Sequence, residues 1–393
     1  MPEPLRILIV DDSAMMRRVL RALLEGDAEI CVVGEATNGR EALAAVTQLR
    51  PDLIIMDVRM PVMDGIETTE HLMAYHPTPI LVLTASLSQF EVDITFRMLG
   101  AGALDVIEKP ALGDVGALER ARRDLIRRVK LLARVKVVTH LRGRRRSEVK
   151  IESADKRLTK SIKPSIGPTL APSSVVQHSV KRPRVHSTPQ SAPSAQRVAP
   201  SARHSAFPLV VIGASTGGPR VVRQLLAALP ADFTASVLVV QHIAEGFSGG
   251  MAEWLRASCV LPVGLASEGA SIAPGEVLVA PDRHDLLIES GGLIHLSDRP
   301  LLLQRPAIDI TMQAAADVFG RRTVGVLLTG MGRDGAIGMQ AIRRAGGYTI
   351  AQSEETCAIF GMPRAAINLG AADAVLAPAD IVAALCTRIA NLS

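Results

Sequence analysis

The chain has 393 residues, 48% hydrophobic and 21% charged, a composition that suits two or three globular domains and excludes a lone small module or an intrinsically disordered chain. Its apolar runs, such as 237–240 and 324–328, fall far short of the roughly 18 residues that span a bilayer, and the opening MPEPLRILIVDD lacks the basic flank of a secretory signal, so a cytoplasmic protein without membrane insertion is expected. The net charge of +5 is local: between Arg134 and His204 stand 16 Lys and Arg against three acids, and the remainder is net acidic.

From Leu5 onward, short apolar runs (LRILIV, EICVVGEA, DLIIMD, PILVLTA, ALDVIEK) alternate with stretches of helical spacing. Five strands alternating with five helices predict a parallel sheet covered on both faces. Ligands of such sheets sit at the carboxyl ends of the strands. There the sequence places Asp11 and Asp12, Asp57, Thr84 and Lys109. Three carboxylates in one cleft need a cation, and oxygen ligands suit Mg²⁺. A lysine and a hydroxyl beside them complete a cradle for a phosphoryl group. Taken alone, Asp12 also reads as a cap of the next helix.

The motifs IVDDS, IIMDVRMPVMDG, TAS and EKP resemble the receiver domain of two-component response regulators. That resemblance implies a flavodoxin-like (βα)5 fold over residues 5–122, with Asp57 phosphorylated by a histidine kinase. It also implies Mg²⁺ on Asp11, Asp12 and Asp57 with the carbonyl of Arg59, a switch hydroxyl at Thr84, and Lys109 on the phosphate. Val106 departs from the pattern, because many receivers carry an aromatic switch residue three positions before the lysine.

Residues 134–206 are basic, free of aromatics and rich in Pro, Ser and Ala, as expected of a flexible linker with no nucleic-acid role. Beyond it, PLVVIG leads into Gly213, Ser215 and Gly217, a G-x-S-x-G between a predicted strand and helix. This is the setting of an exposed nucleophile, and equally of a phosphate-binding turn or a plain helix cap. A serine nucleophile needs a base and an orienting acid. His242 follows the next strand; His284 lies in a turn and is expected to line the pocket, and His295 reads as structural. The acid candidate is Asp334 in Gly330-Met331-Gly332-Arg333-Asp334-Gly335. This stretch also fits the dinucleotide fingerprint G-x-G-x-x-G, although a carboxylate inside it would repel a pyrophosphate. Cys31, Cys259, Cys357 and Cys386 are widely spaced, without a metal or disulfide pattern, and are expected to be small buried hydrophobes.

The order Ser215, His242, Asp334 matches none of the common serine-hydrolase orders. The motifs GASTGGP, VVQHI, APDRHD, RPAIDI, LLTGMGRDGA and SEETCAIFGMPRAA resemble the chemotaxis protein-glutamate methylesterase (CheB) family, as does the order receiver, linker, esterase. The resemblance implies a doubly wound α/β domain at 207–393 with Ser215, His242 and Asp334 as triad. Met331 N–H then serves the oxyanion hole, with Thr216 and His284 nearby and no cofactor for the esterase. Such an enzyme demethylates glutamate methyl esters on methyl-accepting chemotaxis receptors, deamidates receptor glutamines and is held inactive by its unphosphorylated receiver. Two rivals are a receiver with a DNA-binding output and one with a dinucleotide-dependent enzyme. The net acidic folded parts weigh against the first, and Asp334 against the second.

Overall fold

The computed structural model describes residues 3–84, 89–110, 115–137, 207–298 and 305–392. From residue 138 onward, the expected linker lies outside them. Strands β1 (Leu5–Val10), β2 (Ile30–Ala36), β3 (Leu53–Asp57), β4 (Ile80–Thr84) and β5 (Asp105–Glu108) form a parallel sheet in the order β2-β1-β3-β4-β5. β3 and β4 are buried along their whole length, as unbroken apolar runs between two helical layers must be.

Helices α1 (Ala14–Leu24), α2 (Gly39–Leu49) and α3 (Gly65–Tyr75) begin at Ser13, Asn38 and Asp64, whose side chains accept from the amides of Met16, Glu41 and Glu67. Ser13 therefore caps α1, and Asp12 is left for other work. Helices α4 (Gln89–Ala101) and α5 (Val115–Leu132) complete the layer. The boundary expected at residue 122 falls inside α5, which continues because Leu125, Val129 and Leu132 are buried in one cluster with Leu20 and Leu24 of α1.

The C-terminal sheet has seven parallel strands in the order β14-β13-β12-β6-β7-β9-β8. They are β6 (Leu209–Ala214), β7 (Ser236–Gln241), β8 (Val263–Leu265), β9 (Val277–Val279), β12 (Thr323–Leu327), β13 (Tyr348–Gln352) and β14 (Ala374–Leu376). An antiparallel hairpin, β10 (Asp285–Glu289) with β11 (Leu293–Ser297), stands apart. The helices are α6 (Gly218–Ala227), α7 (Ser248–Arg256), α8 (Ile308–Phe319), α9 (Ala336–Arg344), α10 (Met362–Asn368) and α11 (Pro378–Ala390). The chain leaves β6 toward β7 on one side and returns as β12 on the other, so the strand order reverses at β6. A crevice opens at the carboxyl edge of such a reversal.

The two sheets share one continuous apolar cluster through α4. Phe96 of α4 stacks on Trp254 of α7 at 5.4 Å and meets Phe247 edge-on at 6.3 Å. The guanidinium of Arg223, from α6, covers Trp254 at 4.7 Å. Among the described helices, none is long and apolar enough to cross a membrane.

Candidate functional site

Ser215 and His242 immediately follow Ala214 and Gln241, which are register partners at the ends of the adjacent strands β6 and β7. Both line one cavity of about 390 Å³, together with Thr216 and Met331. Asp334 reaches the same edge from the loop after β12, and its Oδ2 lies 2.7 Å from His242 Nε2. A carboxylate only accepts, so Nε2 carries the proton and Nδ1 is the basic nitrogen. Nδ1 is buried and has no hydrogen-bond partner among the described residues.

The turn that carries Ser215 is fixed from several sides. Ser215 N–H donates to Thr329 O at 3.1 Å, and Gln241 Nε2 donates to both Ser215 O (2.8 Å) and His242 O (2.9 Å), holding the two backbones together. Thr329 Oγ1 donates to Thr216 O at 3.0 Å. Gly217 sits at φ +76°, and a Cβ there would come within 2.6 Å of Ala358 Cβ, so two independent constraints demand glycine. Gly330 allows a similar approach, since its added Cβ would lie 2.6 Å from Ser215 Cβ.

Asp334 is itself held at the start of α8, accepting from the amides of Ile308 (2.8 Å) and Asp309 (2.9 Å). Burial pushes its carboxyl pKa up, but the His242 bond and charge and these two amides outweigh that and hold it below the usual carboxylate range. Its neighbour Asp309 goes the other way: burial, reinforced by the charge on Asp334 and opposed by the amides of Gly338 and its neighbours, pushes it up to about 6. Asp334 thus keeps the negative charge beside His242. In the 330–335 loop Gly330 serves close approach, Gly332 and Gly335 take up positive φ (+96° and +88°), and the carboxylate within the loop faces the imidazole.

His284 does not line this cavity; its Nδ1 lies 3.0 Å from Asp282 O within its own turn. His295 pairs with Glu268 on the hairpin, as a structural histidine would. The cysteines correct the expectation of burial: Cys31 is exposed on β2, and Cys259, Cys357 and Cys386 are half-buried. Burial raises the thiol pKa of all three half-buried residues, Cys357 to about 12, which keeps them as unreactive thiols.

At the carboxyl edge of the N-terminal sheet, oxygens of Asp11, Asp12 and Asp57 lie within 4.8 Å of one another. Lys109 Nζ reaches Asp11 Oδ2 at 2.8 Å and Asp57 Oδ2 at 2.9 Å. Burial lifts Asp57 to about 6 despite Lys109, with Asp11 adding to the rise. Three carboxylates against one ammonium leave two negative charges, which a divalent cation would balance. Thr84 is fully buried at the end of β4 opposite Glu108, and Lys109 N–H donates to its carbonyl at 2.8 Å. Val106 is buried within β5, where an aromatic switch would otherwise stand.

Sequence reasoning passed over several residues that matter at the second sheet's edge. Gln241 and Thr329 were visible as polar ends of apolar strands. Asp105 opens β5 and gave no comparable signal, yet its Oδ2 accepts from Thr216 Oγ1 at 2.8 Å while Gly217 N–H donates to Leu104 O at 3.1 Å. Residues of the N-terminal sheet therefore touch the turn next to Ser215.

The CheB methylesterase family model matches residues 210–385, and the response regulator receiver domain model matches residues 7–118. The protein-glutamate methylesterase/protein-glutamine glutaminase 1 of Syntrophus aciditrophicus is 39% identical over 97% of both chains. A relative with the same designation, numbered 2, from Anaeromyxobacter dehalogenans is 40% identical over 97% of this chain and 96% of its own. The solved catalytic domain of Thermotoga maritima CheB methylesterase is 38% identical, covering 46% of this chain and 97% of that one with a TM-score of 0.44. With identity near two-fifths running through both sheets and almost the full length of each relative, this chain belongs to the CheB family of protein-glutamate methylesterases/protein-glutamine glutaminases, a receiver domain followed by a methylesterase domain.

Proposed function

We propose that this protein is a phosphorylation-activated hydrolase that demethylates glutamate γ-methyl esters on methyl-accepting chemotaxis receptors, releasing methanol, and deamidates specific receptor glutamines. The observation that carries this reading is His242, clamped through Nε2 by Asp334 while its free Nδ1 is buried beside the cavity that Ser215 lines. Ser215 Oγ attacks the ester carbonyl as His242 Nδ1 takes its proton. The imidazolium, stabilised by Asp334, returns that proton to the departing methanol oxygen. Water then attacks the acyl-enzyme through the same base, freeing the glutamate and Ser215. Deamidation runs through the same acyl-enzyme with ammonia leaving. Met331 N–H, which has no acceptor among the described residues, serves the oxyanion. A space of about 1780 Å³ continues from Met331 past Phe360 and Arg364 and is lined on its other side by Arg127 and Leu131 of α5, so the receiver stands over the face that a substrate helix would approach.

Control comes from Asp57, phosphorylated by the chemotaxis histidine kinase. Asp11, Asp12 and Asp57, with the carbonyl of Arg59, would hold Mg²⁺, which when bound offsets carboxylate charge and shares phosphate oxygens. Lys109 pairs with the incoming phosphoryl oxygens, and Thr84 offers its hydroxyl. The unphosphorylated receiver covers the esterase: Asp105 to Glu108 line one side of the cavity whose other side holds Ser215 and His242. Phosphorylation shifts the population toward an uncovered site. The expected location is the cytoplasm, where both the kinase and the receptor helices lie.

Methyl-labelled receptor membranes, incubated with the protein with and without a small phosphodonor, test the reading. Volatile label should appear, rise with the donor and vanish in Ser215→Ala. Undiminished release from that variant would overturn it.

A further inference from the structure

Two consecutive residues of the receiver, Leu104 and Asp105, satisfy two consecutive residues of the esterase, Gly217 and Thr216. The backbone carbonyl of Leu104 accepts from Gly217 N–H at 3.1 Å, and the carboxylate of Asp105 accepts from Thr216 Oγ1 at 2.8 Å. Thr216 is 3% exposed, its hydroxyl is committed to this bond, and its carbonyl is anchored by Thr329 Oγ1, so the donor pair is built into the turn. On the receiver side, Asp105 is balanced by Arg128, which is in turn held by Asp124. When the receiver leaves, Arg128 leaves with it, and two aligned donors remain beside Ser215 without their acceptors. In the covered state both donors are out of water, where an unpaired donor is costly, so the receiver has to supply acceptors there; with the receiver gone they are open to a substrate's acceptors instead.

We propose that Thr216 Oγ1 and Gly217 N–H form a specificity subsite for an acidic residue flanking the reacting ester, and that Leu104 and Asp105 occupy it in the covered state by imitating that residue. A backbone carbonyl followed by a side-chain carboxylate is what an Asp or Glu in a peptide offers. The turn follows the nucleophile directly, so a group held there lies next to the reacting side chain in the substrate. A site built to hydrogen-bond a substrate group rejects analogues that lack it. This proposal rests on Ser215 being the nucleophile.

The test uses the full-length protein activated by a phosphodonor, with two helical peptides that carry one glutamate methyl ester and differ only in a flanking Glu or Leu. The wild type should favour the acidic peptide by about tenfold in kcat/KM, the size of one hydrogen bond to a charged group. In Thr216→Val the preference should collapse toward unity, and Thr216→Ser, which keeps the hydroxyl, should restore it. A wild type that turns over both peptides equally, or a Thr216→Val variant that slows both in proportion, would overturn the subsite. Ser215→Ala run alongside separates the two readings: if it still cleaves either peptide, the nucleophile assignment fails, and if it is inert while the preference is absent, only the subsite fails.

Discussion

Asp334 and Asp309 cap each other's helices. Asp334, in the loop before α9, accepts from the first amides of α8, and Asp309, in the first turn of α8, accepts from Gly338 N–H in the first turn of α9 at 2.7 Å. Each carboxylate meets the positive end of a helix, and the reciprocal arrangement fixes the orientation of the acid that faces His242. Only one of the two keeps its charge easily at this spacing.

The Asp309 carboxyl is raised from 3.8 to about 6 in the folded protein. Between those values the native state binds the proton that the unfolded chain has released, so this group's contribution to stability falls as pH rises from about 4 to 6. Asp334 has the opposite sign: its lowered pKa adds stability above the unfolded value, which is lost on acidification. Asp309→Asn keeps an acceptor for Gly338 and removes the titration. Thermal unfolding should show the variant gaining on the order of 2–3 kcal/mol relative to wild type between pH 4 and pH 7. A parallel pair of pH–stability curves would contradict this.

Replacing Asp334 by Asn should cost far more in rate than in binding. The amide no longer stabilises the imidazolium, and its own N–H₂ can turn toward His242 and favour the wrong tautomer. A fall of about 10³ to 10⁴ in kcat with little change in KM is expected from methanol-release kinetics. His284→Ala, whose ring lies outside the cavity, should lose much less than His242→Ala; the reverse order would exchange their roles.

What the sequence made legible, and what it hid, follows from the range of the interactions. Residues that end strands announce themselves, because a polar side chain after an apolar run has few places to go; Asp11, Asp57, Thr84 and His242 are legible in this way, and Ser215 through the glycines on either side of it. Asp334 came from a glycine-rich loop whose alternative reading ended once its carboxylate was seen on His242. Asp309 and Asp105 were missed because neither interrupts a pattern. One is an ordinary acid in the first turn of a helix, the other an ordinary acid at a strand start, and each acquires its role from a partner at least 25 positions away. The reach of α5 to Leu132 was hidden for a similar reason, since only its packing on α1 shows that the helix must continue.

The acid cluster of the receiver should bind a divalent cation in a pH-dependent way. Burial has lifted Asp57 to about 6, so below that pH a proton competes with the metal for the same oxygens. Calorimetric titration with Mg²⁺ should show affinity falling by up to about tenfold per unit below pH 6 and levelling off above it. In Asp57→Asn the affinity at pH 7.5 should drop and its steep dependence near pH 6 should disappear. A wild type whose affinity is flat from pH 5 to 7.5 would argue against Asp57 as a ligand.

Trp254 is the only tryptophan in the chain. It is 8% exposed, stacked on Phe96 of the receiver and covered by Arg223, so its emission reports directly on whether α4 lies against α7. Phosphodonor and Mg²⁺ together should shift that emission to the red as water reaches the indole, and Asp57→Asn should show no shift. Burying a phenylalanine contributes about 1.5–3 kcal/mol, so Phe96→Ala should weaken the covered state by about tenfold or more. That variant should already show red-shifted emission and a raised rate without phosphodonor. If emission shifts in Phe96→Ala while the unstimulated rate stays at the wild-type level, contact between α4 and Trp254 is not what restrains the esterase, and restraint would then fall to the contacts at the cavity, the Asp105–Thr216 and Leu104–Gly217 bonds among them.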